Sequence, residues 1–345
     1  MAALDLLGYF LLTSIALFFL SPLLLNQNNP QAPIVQAPIG DISGTCLISK
    51  KGRNIFAYQG IPYAKSPSGE LRFKRPQSLP EKAWQGVFDG TKSVTKCVQI
   101  SEIPALIPVS GKEDCLQLNV YVPESKNPLE EGFPVMVWFH GGGFTAGDSS
   151  TRLYGPEFLL DKDVILVTVN YRLGIFGFLT LGIEEISGNQ GMWDQLESLK
   201  WVQKNIAAFG GDPNKVTIFG ESAGGYSVSH HLTSHQSKGY FSAAIIQSGP
   251  LEQAFKPKEV QRSKDDIHKE FSMKMGCPFH KNDPESTVKC LQEKPVVDLM
   301  KGLQMFDQCN SKCLKKVGLL YFNPIRQCLP FLKFQLWQLG PWLGL

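Results

Sequence analysis

Apolar residues along this chain form three patterns: a long N-terminal run, short strand-length runs, and one helical periodicity. Leu6 to Leu25 is almost unbroken and carries no charge. Pro134–Phe139 and Val164–Asn170 are short apolar runs of the kind buried on both faces of a parallel sheet. Trp193, Leu196, Leu199, Val202, Ile206 and Phe209 recur at three- and four-residue spacing, which predicts an amphipathic helix beginning after Gly191. Gly210-Gly211-Asp212-Pro213 stops it. The β-branched run Val216-Thr217-Ile218-Phe219 then reads as a strand. A glycine-rich turn, a helical segment over Tyr226–His235 and a further strand, Ala243–Gln247, follow. This alternation predicts a three-layer α/β fold with helices on both faces of a mostly parallel central sheet.

The N-terminal run has the length of a secretory h-region over Leu6–Leu20 and approaches a membrane span over its whole extent. It reads as a signal peptide or, left uncleaved, as a signal anchor. Ser21-Pro22 interrupts it and favours cleavage downstream. Either reading places the body of the chain in a secreted or lumenal setting, with the membrane involved only through that anchor. Asn26–Pro38, with three prolines, reads as an extended linker.

The remaining length, within 345 residues at 43% apolar content, is enough for a large core. A net charge of +3 with 19% charged residues favours neither nucleic acid nor a membrane surface as partner. Eight cysteines outside the cytosol are read first as disulfide material. Cys97 and Cys115 bracket one short loop and Cys277 and Cys290 another. Cys46, Cys309, Cys313 and Cys328 have no evident partner. The Cys309/Cys313 spacing lacks the second ligand pair a metal site needs, so no metal and no cofactor is expected.

The chemistry concentrates at Gly220-Glu221-Ser222-Ala223-Gly224-Gly225, a G-x-S-x-G turn directly after the strand-like run. A serine on a tight strand-to-helix turn is forced outward, where its hydroxyl can attack a bound carbonyl. The flanking glycines suit a turn with no room for Cβ atoms. The backbone N–H of Ala223 would face the developing oxyanion. Upstream, His140-Gly141-Gly142-Gly143-Phe144 follows another strand-like run, and such a loop supplies further oxyanion donors. The pair of motifs assigns Ser222 as a nucleophile.

These segments resemble the type-B carboxylesterases of the carboxylesterase/cholinesterase family, which have the α/β-hydrolase fold. The resemblance rests on Phe209 through Gly224, on Glu113-Asp114-Cys115-Leu116-Gln117-Leu118-Asn119-Val120, and on Gly60-Ile61-Pro62-Tyr63-Ala64. Leu71-Arg72-Phe73, Asn170-Tyr171-Arg172-Leu173-Gly174 and Gly188-Asn189-Gln190-Gly191 add to it. It covers roughly Ile39 to Val297. It implies a small carboxylic ester as substrate, Ser222 as nucleophile and Gly142, Gly143 and Ala223 as oxyanion donors. It also implies the disulfides Cys97–Cys115 and Cys277–Cys290 and the structural ion pairs Arg72–Glu113 and Arg172–Asp194. Glu221 matches a residue that lies near the family's catalytic histidine. The 98–114 loop has no tryptophan, which argues against a quaternary ammonium held by cation–π attraction.

The other triad members depart from the family's pattern, which orders them Ser, then Asp or Glu, then His. His140 precedes the serine, and His230, His231 and His235 follow it too closely. A residue eight positions along a helix lies about 12 Å away along its axis. His268 and His280 read as exposed and lack the family's G-x-x-H context. Glu252, Glu259, Glu270, Glu285 and Glu293 lack its Glu-x-Gly context. The expected layout is a signal segment 1–25, a linker 26–38, a partial esterase domain 39–307 and a divergent tail 308–345. C-terminal strands and triad elements are expected to be missing. The tail has no acidic residue, five basic ones, three cysteines and a helical stretch drawn through Phe331–Leu339. Two readings follow: a serine ester hydrolase represented by a truncated chain, or a catalytically inactive short form that binds a partner on the esterase fold.

Overall fold

The interior strands are those whose residues are almost all apolar. The computed structural model describes residues 32–100, 109–125, 131–181, 186, 188–249, 264–280 and 282–302. The expectations for Leu6–Leu25, for the tail and for Cys309, Cys313 and Cys328 lie outside the described residues. Val35–Ala37 (β1), Gly40–Ser43 (β2) and, later, Val87–Asp89 (β5) make a small three-stranded sheet. Thr45–Ile48 (β3) and Asn54–Pro62 (β4) open the main sheet, and Gln99–Ile100 (β6) pairs with Val109–Ser110 (β7). Gln117–Pro123 (β8), Phe133–Phe139 (β9), Ile165–Val169 (β10), Gly211–Glu221 (β11) and Ala243–Gln247 (β12) complete the set.

The main sheet has seven strands in the order β12-β11-β9-β10-β8-β4-β3. It is mixed: β12, β11, β9 and β10 run parallel, while β8, β4 and β3 add by antiparallel pairing. Every residue of β10 is buried, and Val135, Val137, Phe139, Val216 and Ile218 are fully enclosed. Each such side chain contributes about 1.5–3 kcal/mol on leaving water. The outermost strand β12 differs: Ile245 and Ile246 remain 45% and 42% exposed, since no described element covers them.

The helices are Thr151–Tyr154 (α1), Gly174–Phe178 (α2), Gln190–Asn205 (α3), Ala223–Thr233 (α4), Lys264–Lys274 (α5) and Pro284–Glu293 (α6). α3 begins one residue before Gly191 and tightens into a 3-10 turn over Ile206–Phe209. Gly210, at φ 82°, ends that turn and its carbonyl accepts from Phe133 N, which leads the chain straight into β11. α6 starts on the Asp283 side chain, which accepts from Ser286 N, with Pro284 in its first turn. Phe73, Ile175, Phe176, Phe271, Leu291 and Leu299 form a second apolar cluster beside this helix.

Candidate active site

β11 ends in the G-x-S-x-G turn, and its geometry is strained at one residue. Ser222 has φ 54° and ψ −118°, a conformation that side-chain-bearing residues rarely adopt. Its N–H donates to Gln247 O at 2.9 Å, and its own carbonyl accepts from Tyr226 N at 2.9 Å, closing the first turn of α4. The glycines around it are sterically required. A methyl group on Gly224 would run into Phe139 O, and one on Gly225 into Gln247 O. A methyl on Gly220 would lie 2.5 Å from the Gly224 carbonyl carbon. The helix is therefore drawn against the ends of β9 and β12.

The glycine loop leaves the end of β9, the strand paired with β11 up to Phe139 and Gly220. Gly142 and Gly143 have φ 105° and 61°. Thr145 N and Ala146 N both donate to Gly142 O at 3.0 Å, so the loop closes on itself. Phe144, also at positive φ, is fully buried against Phe178, and its carbonyl accepts from Gly174 N at 2.8 Å. A Cβ on Gly141 would touch Ser222 Cβ at 3.4 Å, so loop and elbow lie in direct apposition. Gly142 is exposed and Ala223 is buried beneath the turn.

The histidines are placed elsewhere. His140 donates from Nδ1 to Gly141 O at 2.7 Å and stacks on Tyr171, with ring centroids 4.4 Å apart. Both nitrogens of His231 are engaged, Nδ1 with Ser237 Oγ at 2.8 Å and Nε2 with Gln195 Oε1 at 3.0 Å. His230 is buried with neither nitrogen hydrogen-bonded. Burial pushes the imidazole pKa values of His140 and His230 down to about 4 and that of His231 to about 3. His235 and His280 are exposed; the His268 side chain lies outside the described residues. Among the described residues, no imidazole is hydrogen-bonded to Ser222.

The supporting residues are brought together. Cys97 and Cys115 are bonded with Cα atoms 5.0 Å apart, and Cys277 and Cys290 with Cα atoms 5.7 Å apart; Cys46 is buried and free. Arg72 holds Glu113 through two hydrogen bonds of 2.6 and 2.7 Å and also donates to Gln292 O and Lys294 O, tying α6 to the domain. Arg172 grips Asp194 at 2.7 and 2.8 Å, with side chains 2% and 0% exposed. No group of three or more metal-ligating side chains occurs among the described residues. Sequence reasoning passed over Tyr154, whose hydroxyl pKa is pushed up by burial and by the nearby Glu221 carboxylate, against a hydrogen bond from the Gly141 backbone. It also passed over Gln99 and Asp148, single polar residues with no motif to mark them.

A family model described as the carboxylesterase family matches residues 31–327. The juvenile hormone esterase of Tribolium castaneum is 42% identical over 264 residues, covering 76% of this chain and 44% of that protein. The cocaine esterase of Oryctolagus cuniculus is 40% identical over 289 residues, covering 80% of this chain and 52% of that protein. The crystal structure of juvenile hormone esterase from Manduca sexta, with OTFP covalently attached, superposes with a TM-score of 0.70 at 35% identity. That match covers 86% of this chain and 53% of the other. The chain spans about half the length of the curated relatives it matches.

Proposed function

The chain belongs to the carboxylesterase family, and on that premise we propose that it carries the nucleophile and oxyanion site of a serine carboxylic-ester hydrolase. Ser222 Oγ attacks the carbonyl carbon of a small ester, and the backbone N–H groups of Gly142, Gly143 and Ala223 stabilise the tetrahedral oxyanion. The alcohol leaves, and water resolves the acyl-serine. Removing one preorganised donor of this kind raises the barrier by about 2.7–4 kcal/mol. The observation that carries this reading is the strained φ of 54° at Ser222, held directly against the Gly141-Gly142-Gly143 loop. Strain of that kind persists only where the surrounding packing enforces it.

Among the described residues no histidine is hydrogen-bonded to Ser222, and the reading proposed here is that Ser222 goes without the base that would activate it. Mass spectrometry of the full chain treated with p-nitrophenyl acetate tests both statements. Without an added base, acetylation of Ser222 is expected to stay at the level of chemical background. Added imidazole should raise it, and Ser222→Ala should abolish the modified peptide. Fast acetylation without imidazole would overturn the missing base. No acetylation with imidazole would overturn the nucleophile. The outer strand β12, which no described element covers at Ile245 and Ile246, favours a second reading, an inactive form that binds a partner on this fold; no acylation under either condition would leave that reading standing.

Export, with cleavage after the Leu6–Leu25 run, is the accompanying proposal, supported by two formed disulfides. A mature N-terminus downstream of Leu25 in recovered protein supports it; retention of Met1 in a membrane fraction favours the anchor.

A further inference from the structure

Gln99 lies 41 positions before the glycine loop and belongs to no recognised motif, yet its side chain is 3% exposed and fully engaged. Its Oε1 accepts from Gly147 N at 3.0 Å, and its Nε2 donates to Gly147 O at 2.9 Å. The side-chain amide thus pairs with both backbone groups of Gly147, as a strand residue would. The same Nε2 also donates to Cys97 O at 3.0 Å. Cys97 is bonded to Cys115, whose carbonyl accepts from Gln117 N at the start of β8.

Gly147 is the returning end of the loop. It has φ 114°, and a Cβ there would meet His140 Nδ1 and, at 2.8 Å, Gly141 O. Whatever fixes Gly147 therefore fixes the backbone on which Gly142 and Gly143 are mounted. A second tie lies one residue on. Lys96 Nζ stands 3.2 Å from Asp148 Oδ2, and the Asp148 carboxylate is 1% exposed. Burial alone would raise the Asp148 pKa, but hydrogen bonds from Ser150 and Lys96 outweigh it and hold the group below the usual carboxylate range. Residues 96 to 99 thus grip residues 147 and 148 at two adjacent points, from a segment anchored to the sheet by a disulfide.

We propose that Gln99 is a positioning residue for the oxyanion donors, clamping the glycine loop to the Cys97–Cys115 disulfide. The proposal rests on Gly142 and Gly143 being those donors. A loop with two unrestrained glycines samples many backbone states, and oxyanion stabilisation requires its N–H groups fixed before the charge develops. Gln99 touches no reacting atom; it acts only through Gly147.

The test compares the full chain with Gln99→Met, which keeps the volume and removes the hydrogen bonds. Amide exchange over 140–148 should quicken about tenfold, the worth of one or two buried hydrogen bonds, while β9 and β11 stay protected. The affinity of phenylboronic acid for Ser222, a tetrahedral anionic adduct, should weaken by a similar factor. Unchanged exchange over 140–148 overturns the clamp, and so does a rise spread equally over β9 and β11, which would mark a general structural role. If the unmutated chain binds no boronate, the donor assignment falls and takes the catalytic meaning of the clamp with it; the exchange result still reports whether Gln99 holds the loop. Lys96→Met, on a side chain one-third exposed, serves if Gln99→Met does not fold. It should quicken the same segment about threefold, and no change would overturn the two-point grip.

Discussion

Breaking the Arg172–Asp194 pair from one side should be far more damaging than removing both partners. The Asp194 carboxylate is fully buried and accepts three hydrogen bonds: 2.8 Å from Arg172 Nε, 2.7 Å from Arg172 Nη2 and 3.0 Å from Arg172 N. Arg172→Met removes the first two and leaves a buried anion on one backbone N–H, at a cost of about 3–5 kcal/mol. Asp194→Leu leaves a buried guanidinium that still donates to Lys74 O and should cost about as much. The double variant leaves no uncompensated charge. Its expected loss is about 2 kcal/mol, from imperfect packing and the freed Lys74 carbonyl, against about 6–10 kcal/mol for the sum of the singles. Urea titration by tryptophan fluorescence at constant m-value reads all four corners of the cycle. Single losses below about 1 kcal/mol would mean that the pair behaves like a solvated surface bridge and would refute the reasoning. So would a double variant no more stable than either single.

Stability should also fall with acid. His140, His230 and His231 are held neutral by burial, with pKa values near 4, 4 and 3 against an ordinary 6.5. Their folded values are depressed, so their contribution is complete above pH 6.5 and is lost as pH falls towards 4, at about 1.4 kcal/mol per pH unit for each. Equal urea midpoints at pH 7 and pH 5 would contradict this. Ser222→Gly should abolish any acylation yet raise stability by about 1 kcal/mol, because glycine adopts φ 54° without strain; an unchanged or lower midpoint would refute the strain. Gly224→Ala should cost at least about 3 kcal/mol, since the clash is with backbone at Phe139 that cannot swing aside; a near-neutral midpoint would show the elbow looser than described.

The parts of the fold that were legible are those where burial alone dictates composition. Ile165–Val169 is buried at every residue, so its apolar run announced it. Elsewhere tertiary contacts overruled local signals. Gly210-Gly211-Asp212-Pro213 reads as a helix stop and the strand as starting at Val216, yet β11 runs from Gly211 to Glu221, with a register shift against β9 between Gly211 and Val216. The elbow helix was read from Tyr226, behind the glycine turn. It begins at Ala223, since only glycine at 224 and 225 clears Phe139 O and Gln247 O. Family motifs overlap the antiparallel strands β4 and β8 but none marked β3, and a shift between Tyr58 and Ile61 breaks β4's alternation. Ser222 and the glycine loop were legible because their backbone conformations demand glycine. Gln99 was not, since a single amide carries no pattern.

The site is unevenly supported, and the unevenness follows from where its pieces sit in the sheet. The glycine loop hangs from β9, a strand paired on both sides, and is held at Phe144, Gly147 and Asp148 by buried contacts. Ser222 hangs from β11, and its amide is held by Gln247 of β12, the least covered strand of the sheet. Local opening is cheapest where few buried apolar contacts oppose it. Fraying of β12 would therefore release the Ser222 amide while leaving the glycine loop in place. A cover over Ile245 and Ile246 would act on Ser222 without touching it, by suppressing that opening. The two halves of the site thus have different stabilities, one set by the closed core and the other by whatever covers β12.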